Sequence, residues 1–288
     1  MNQQHPSSAH ASTVETVQVN GIRVSVRRSG SGEPILLLHG FPHTKELWRN
    51  VEPLLTAGGH QVIAPDLRGL GDSERARTGF EAQNQAKDQV RLLDALAVDA
   101  AHVVGFDVGA AVAFALTTQH SGRVRSLTIM EAIVGGLPGA EEFFRAGGPW
   151  WFGFHQAPGG LAEDIVAGSE DRYIRYFLES RARTHLPDDL AKRFIQAYTG
   201  RDSLRAAFEH YRAMPSNAET NSSWAEHGRL NLPVAAVTST VGGLLARQLA
   251  PFADDLEEHL LPDSGHVVPL DAPQEVAEIL LATAARAA

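Results

Sequence analysis

Residues 103–110 read VVGFDVGA: an apolar run that ends in Gly105 and Phe106, then a charged Asp107, then Val108 and Gly109. Small residues on both sides of Asp107 suit a tight strand-to-helix turn that lifts the middle side chain into the open. A carboxylate there is either a helix N-cap or a nucleophile on display. The same pattern, a short apolar run followed by a helical stretch, recurs in PILLLHG (34–40), QVIAPD (61–66) and RSLTIME (125–131), as it does in AHVVGFD (101–107) itself. Such alternation predicts βαβ units and a mostly parallel sheet covered on both faces, hence an α/β fold. Ahead of it, TVETVQV and IRVSVRR flank Asn20-Gly21, the dipeptide best suited to a two-residue hairpin turn.

After Glu131 the pattern turns helical, with stretches such as EDRYIRYFLESRA and PDDLAKRFIQAY, until about residue 230. Strand patterns resume at 233–239 and 256–262, and a last helix is predicted over 274–286. The chain therefore divides into a disordered tail at 1–12, a core at 13–132 and 231–288, and a helical cap at 133–230. That cap holds 14 of the 20 aromatic residues, including all four Tyr. They form either a packed helical core or a lid whose underside is an apolar pocket.

Composition narrows the chemistry. Hydrophobic residues make up 43% and charged residues 20% of the 288 positions, and no apolar run approaches the roughly 20 residues that span a bilayer. The opening MNQQHPSSAHAS lacks the basic and apolar regions of a secretion signal, so a cytoplasmic protein is expected. Cys is absent, which excludes disulfides, thiolate metal sites and Cys nucleophiles. A net charge of −9 without a basic stripe disfavours nucleic acid and favours a small-molecule substrate. No ligand spacing resembles H-E-x-x-H, and SGSGEP lacks the context of a dinucleotide loop, so neither metal nor cofactor is expected.

Two further motifs give Asp107 a setting. His39-Gly40-Phe41-Pro42 follows a predicted strand, where the Phe41 and Val108 amides could form an oxyanion hole. Ser264-Gly265-His266 follows the last predicted strand, where a general base belongs. With HGFP, DLRGLGDS, GFDVG and SGH in this order and an insertion after the sixth strand, the chain resembles the α/β-hydrolase superfamily over all but its N-terminal tail. It is most similar to the epoxide hydrolase and dehalogenase branch with an Asp nucleophile. The resemblance implies a mostly parallel eight-stranded sheet with an N-terminal hairpin and a helical cap.

It also implies roles. Asp107 would attack an sp3 carbon, and His266 would activate the water that hydrolyses the resulting alkyl ester. Many members carry the third, orienting acid after the seventh strand, but AVTSTVGG contains none; Glu131, closing LTIME, holds an alternative position, unless it merely caps the first lid segment. FEHYRAM resembles the lid motif with a ring-opening Tyr, which assigns Tyr211. PWWFGFHQAP puts Trp151 where its partner donor stands, a Trp/Tyr pair similar to epoxide hydrolases of actinomycete aromatic polyketide pathways of the kinamycin and fluostatin type. His39, Pro42, Trp150, Phe152, Phe154 and Val267 are expected to line the substrate pocket.

Against a dehalogenase, Val108 stands where haloalkane dehalogenases carry Trp and fluoroacetate dehalogenases Arg, and Phe41 stands where Asn is common. The reading is thus an epoxide hydrolase for a bulky, aromatic epoxide, monomeric or homodimeric, with a dehalogenase or a non-catalytic binding protein as alternatives. Asp66, Arg68 and Asp72 are read as turn braces, and His43, His155 and His210 as hydrogen-bonded structural histidines.

Overall fold

A computed structural model describes residues 12–287, so the tail expected at 1–12 lies, except for Ser12, outside the described residues. Strands β1 (Thr13–Val19), β2 (Ile22–Gly30), β3 (Glu33–Leu38), β4 (His60–Pro65), β5 (Ala101–Phe106), β6 (Val124–Met130), β7 (Val234–Thr238) and β8 (Leu256–Leu260) form one sheet. Their order is β1-β2-β4-β3-β5-β6-β7-β8. The β1/β2 and β2/β4 pairs are antiparallel and the others parallel. At the first hairpin Asn20 and Gly21 both take positive φ, 42° and 81°, as a two-residue turn matching strand twist requires.

Helices α1 (Glu52–Ala57), α2 (Ala82–Ala95) and α3 (Val108–Gln119) follow β3, β4 and β5. Seven more, α4 (Ala140–Arg145), α5 (Trp150–His155), α6 (Leu161–Val166), α7 (Glu170–Arg181), α8 (Asp188–Ala197), α9 (Arg201–Arg212) and α10 (Met214–Ala225), lie between β6 and β7. Then come α11 (Leu244–Leu249), α12 (Val268–Asp271) and α13 (Pro273–Ala285). The helix pairs α2 with α3 and α1 with α13 cover the sheet, which leaves every residue of β5 and β7 buried. This is why those strands read as continuous apolar runs without alternation.

The α4–α10 insertion docks on the core through aromatic rings. Phe41, in the loop after β3, meets His155, Phe177, Tyr198 and Tyr211 edge-on at centroid distances of 5.1, 5.4, 5.2 and 5.8 Å. Burying one such ring stabilises by about 1.5–3 kcal/mol, and each well-placed aromatic pair adds ~0.5–1.5 kcal/mol. Polar ties fix the approach: the Tyr198 hydroxyl donates to the His43 carbonyl (2.6 Å) and Arg75 to the Ala197 carbonyl (3.0 Å). At the other end Asp271 accepts from the Thr184 amide (2.7 Å), the Arg183 amide and the Gly265 amide (2.8 Å). One carboxylate thereby joins the end of α7 to the loop that carries His266.

Candidate active site

Asp107 sits between β5 and α3 with φ 52° and ψ −119°, a conformation that a non-glycine residue adopts only under local constraint. The flanking glycines supply the constraint. A Cβ at Gly105 would fall 2.6 Å from the Gly109 carbonyl oxygen, and one at Gly109 would lie 2.5 Å from the His39 carbonyl oxygen. Neither clash can be relieved by a side-chain movement, because the obstacle is backbone. The turn thus aims the carboxylate upward, where the Phe41 amide donates to Oδ1 at 2.9 Å, with the Val108 amide beside it.

His266 approaches from the loop before α12. Its Nε2 is 3.4 Å from Asp107 Oδ2, and its Nδ1 donates to Glu131 Oε2 at 3.0 Å. The main chain of His266 is held in turn, its amide donating to the Arg181 carbonyl at the end of α7 (2.7 Å). Glu131, at the end of β6, has φ 49° and its amide bonds the Val237 carbonyl of β7 (3.0 Å). Its carboxylate accepts from the Ser239 and Thr240 amides and from the Thr240 hydroxyl. The loop after β7, which carries no acid, instead supplies three donors to an acid from the neighbouring strand. Ser239-Thr240 went unnoticed in the sequence; two hydroxyl residues where an acid is missing were the available signal.

Burial shapes the electrostatics. For Asp107 it would raise the carboxyl pKa, but the His266 bond and charge, with the Val108 and Phe41 amides, outweigh it and hold the group below the usual 3.8. Glu131 behaves alike: burial raises it, and His266, Thr240 and the Ser239 amide bring it lower than usual. His266 runs the other way, because burial lowers its pKa and the bonds to Asp107 and Glu131 raise it above 6.5. Tyr211 is pushed well above 10, by burial and then by the Asp107 charge, so its phenol stays protonated.

A cavity of about 650 Å³ lies over Asp107, lined by Glu131, His266, Tyr211 and Phe152 and by apolar side chains of α4, α5 and α10. Tyr211 is 1% exposed, and its hydroxyl bonds no protein group among the described residues. The structure therefore brings Asp107, His266, Glu131, Tyr211, the Phe41 and Val108 amides and Phe152 together.

Other expected residues lie elsewhere. Helix α5 turns Phe152, Gly153 and Gln156 to the cavity, so Trp151, about 100° away around the helix, faces Phe177 and the Arg181 guanidinium. Phe152, not Trp151, meets the Tyr211 ring, at 5.4 Å. Trp150 is 54% exposed on the outer side, and Phe154 packs between His155, Tyr173 and Phe208. Below the elbow, the buried His39 ring bonds the Gly40 carbonyl (3.0 Å) and the Leu67 amide (3.1 Å), and neither it, Pro42 nor the fully buried Val267 reaches the wall.

Among the structural histidines, His210 bonds the Arg68 carbonyl (2.9 Å) and also lines the cavity, and His155 bonds the Tyr173 hydroxyl (2.7 Å). His43 departs from expectation, since neither ring nitrogen has a partner; burial pushes its pKa down to about 3 and keeps it neutral. The turn residues are braces: Asp66 accepts from Lys45 Nζ (2.7 Å) and the Asp72 amide (2.8 Å), and Arg68 pairs with Asp88 at 2.7 Å. No group of three or more His, Asp or Glu side chains among the described residues is arranged to hold a metal ion. No helix among them is long and apolar enough to cross a membrane.

Comparison with known proteins agrees with this fold. The family profile of the alpha/beta hydrolase fold matches residues 33–273. The soluble epoxide hydrolase of Corynebacterium sp. (strain C12) is 31% identical over 286 residues, covering 93% of this chain and 96% of that one. The solved structure of the ligand-free epoxide hydrolase CorEH superposes with a TM-score of 0.86 at 28% identity, over 96% of this chain and 99% of the other. A fluoroacetate dehalogenase of Burkholderia sp. is 30% identical over 163 residues, 54% of this chain and 53% of that protein. The chain belongs to the alpha/beta hydrolase family, in the branch of the soluble epoxide hydrolases.

Proposed function

We propose that the protein hydrolyses an epoxide to a vicinal diol through an ester on Asp107. The observation that carries the reading is the Asp107 carboxylate itself, with Oδ1 held by the Phe41 amide and Oδ2 turned to His266 beneath a mostly apolar cavity. Oδ2 attacks an epoxide carbon, the C–O bond breaks, and the developing alkoxide takes the Tyr211 proton. His266 Nε2 then removes a proton from water, and the hydroxide adds to Cγ of the Asp107 ester. The negative charge collects on Oδ1, which the Phe41 amide already bonds and toward which the Val108 amide can turn. On collapse the ester C–O bond breaks, the leaving oxygen takes the proton of the added hydroxyl to complete the diol, and the carboxylate is restored; the proton on His266 returns to the Tyr211 phenolate through solvent, while Glu131 holds the His266 tautomer throughout.

The wall contributed by Phe143, Phe144 and Phe152 fits an aromatic epoxide, and turnover confined to small aliphatic epoxides would contradict that part. The polyketide-type assignment leaned on Trp151 beside Tyr211, and with the indole against Phe177 it is not carried further. A dehalogenase reading shares Asp107 and has a relative behind it. It predicts halide release from an alkyl halide and no diol from any epoxide.

The route makes an isotopic prediction. In a single turnover of styrene oxide with enzyme in excess in 18O-water, the label should enter the peptide that contains Asp107 and be missing from the diol. Label in the diol alone would sink the ester intermediate.

A pH profile checks Glu131. Once Asp107 is esterified its charge is gone, so Glu131 is the remaining anion of the pair that raises the His266 pKa. Since ester hydrolysis requires neutral Nε2, kcat should decline as pH falls through that pKa. In Glu131→Gln the pKa drops, so the acid limb should move to lower pH while kcat falls by about 10²-fold as the tautomer loses its anchor. An acid limb at the same pH as in the wild type would dissociate Glu131 from the base.

A further inference from the structure

Arg181 is the only Lys or Arg in the cavity wall. It closes α7, and its carbonyl carries the His266 amide, but its side chain has no assigned partner of opposite charge. Neighbouring cap arginines do: Arg212 meets Glu163 (2.7 Å) and Glu209 (2.9 Å), Arg175 meets Asp171 (3.0 Å), and Arg201 meets Asp164 (2.6 Å). No carboxylate among the described residues comes within 4 Å of Arg181. Its guanidinium carbon instead lies 5.2 Å from the centroid of the Trp151 ring. A guanidinium over an indole face is held by the ring while its in-plane N–H donors stay free, in the fork that matches a carboxylate bidentately.

The surroundings make this cation matter. Asp107 and Glu131 both face the cavity, so an anionic ligand entering it meets like charge unless a fixed cation compensates. Phe143, Phe144, Ile133, Val134, Phe152 and Met214 make the rest of the wall apolar. One unpaired guanidinium in such a wall is a selective feature, because a carboxylate gains a charge-assisted, bidentate bond from it that a neutral acceptor cannot match.

We infer that Arg181, held over Trp151, is a specificity-determining residue that binds a carboxylate on the substrate, so that the preferred substrates are apolar epoxides bearing one carboxylate. This rests on the epoxide-hydrolase reading for the reacting end of the ligand, and on Arg181 alone for the other. Trp151, expected to donate to the epoxide oxygen, becomes the platform for the guanidinium.

The test pairs binding with turnover. Calorimetry with 4-phenylbutanoate and its primary amide, which lack an epoxide, is carried out on the wild type, Arg181→Gln and Arg181→Lys. The carboxylate should bind the wild type at least tenfold tighter than the amide, Arg181→Gln should bring the two within twofold, and Arg181→Lys should keep part of the preference. In kinetics, 4-(oxiran-2-yl)benzoate should lose at least tenfold in kcat/KM in Arg181→Gln, mainly through KM, while its methyl ester changes less than twofold. Equal binding of acid and amide by the wild type, binding of neither, or an equal loss for both in Arg181→Gln would overturn the proposal. Failure of the hydrolase reading looks different: no diol from either epoxide, with the carboxylate preference in binding intact.

Discussion

His266→Gln is expected to stop the reaction halfway, leaving the substrate covalently attached to Asp107. Glutamine occupies similar space and can keep a hydrogen bond to the carboxylate network, but it cannot take a proton from water. Ring opening needs Asp107 and Tyr211, neither of which is removed. Ester hydrolysis loses its general base, worth about 10²–10⁴-fold, so the ester should accumulate. Intact mass after exposure to styrene oxide should rise by the mass of one whole epoxide, and peptide mapping should place it on the segment with Asp107. An adduct that is the alkyl group of a halide, formed with halide release, would establish displacement of halide instead. A protein that stays unmodified while its diol output is unchanged would remove His266 from the mechanism.

Asp107→Ala is expected to abolish both the adduct and turnover, with a loss of at least ~10⁴-fold, because no other carboxylate of the site is free to attack. Glu131 is engaged by Ser239, Thr240 and His266. The substitution also reports on the base. In the wild type Asp107, 3.4 Å from Nε2, is one of the two carboxylates that lift the His266 pKa against burial. Removing it should lower that pKa, which NMR titration of the imidazole can follow. Residual diol formation within tenfold of the wild type, or an imidazole that titrates unchanged, would show that the two residues do not work as a pair.

Much of this was legible in the chain because it rests on local rules. The Gly105 and Gly109 spacing predicts the elbow, since backbone there leaves no room for a Cβ. Continuous apolar runs mark the buried parallel strands, and Asn20-Gly21 marks the hairpin. The strands at 101–107 and 233–239 end within a residue of Phe106 and Thr238. Cap details were less legible, because α5 carries aromatic residues all round and its sequence does not say which of them faces inward. Six residues hold two Trp and two Phe, and only tertiary packing selects Phe152 over Trp151 for the wall. Arg181 was illegible for a related reason: an unpaired charge is defined by what fails to approach it in three dimensions. His43 taught the converse, a polar ring buried without partners where composition alone suggests a bonded one.

The carboxylate of Asp271 holds Gly265 of the base loop and Arg183 and Thr184 beyond α7, while the Arg181 carbonyl holds the His266 amide itself. The end of α7 and the base loop therefore share one set of hydrogen bonds, so that a displacement of either is transmitted to the imidazole. Such a linkage makes the far edge of the helical insertion a mechanical part of the base, so that the rigidity of one is the alignment of the other.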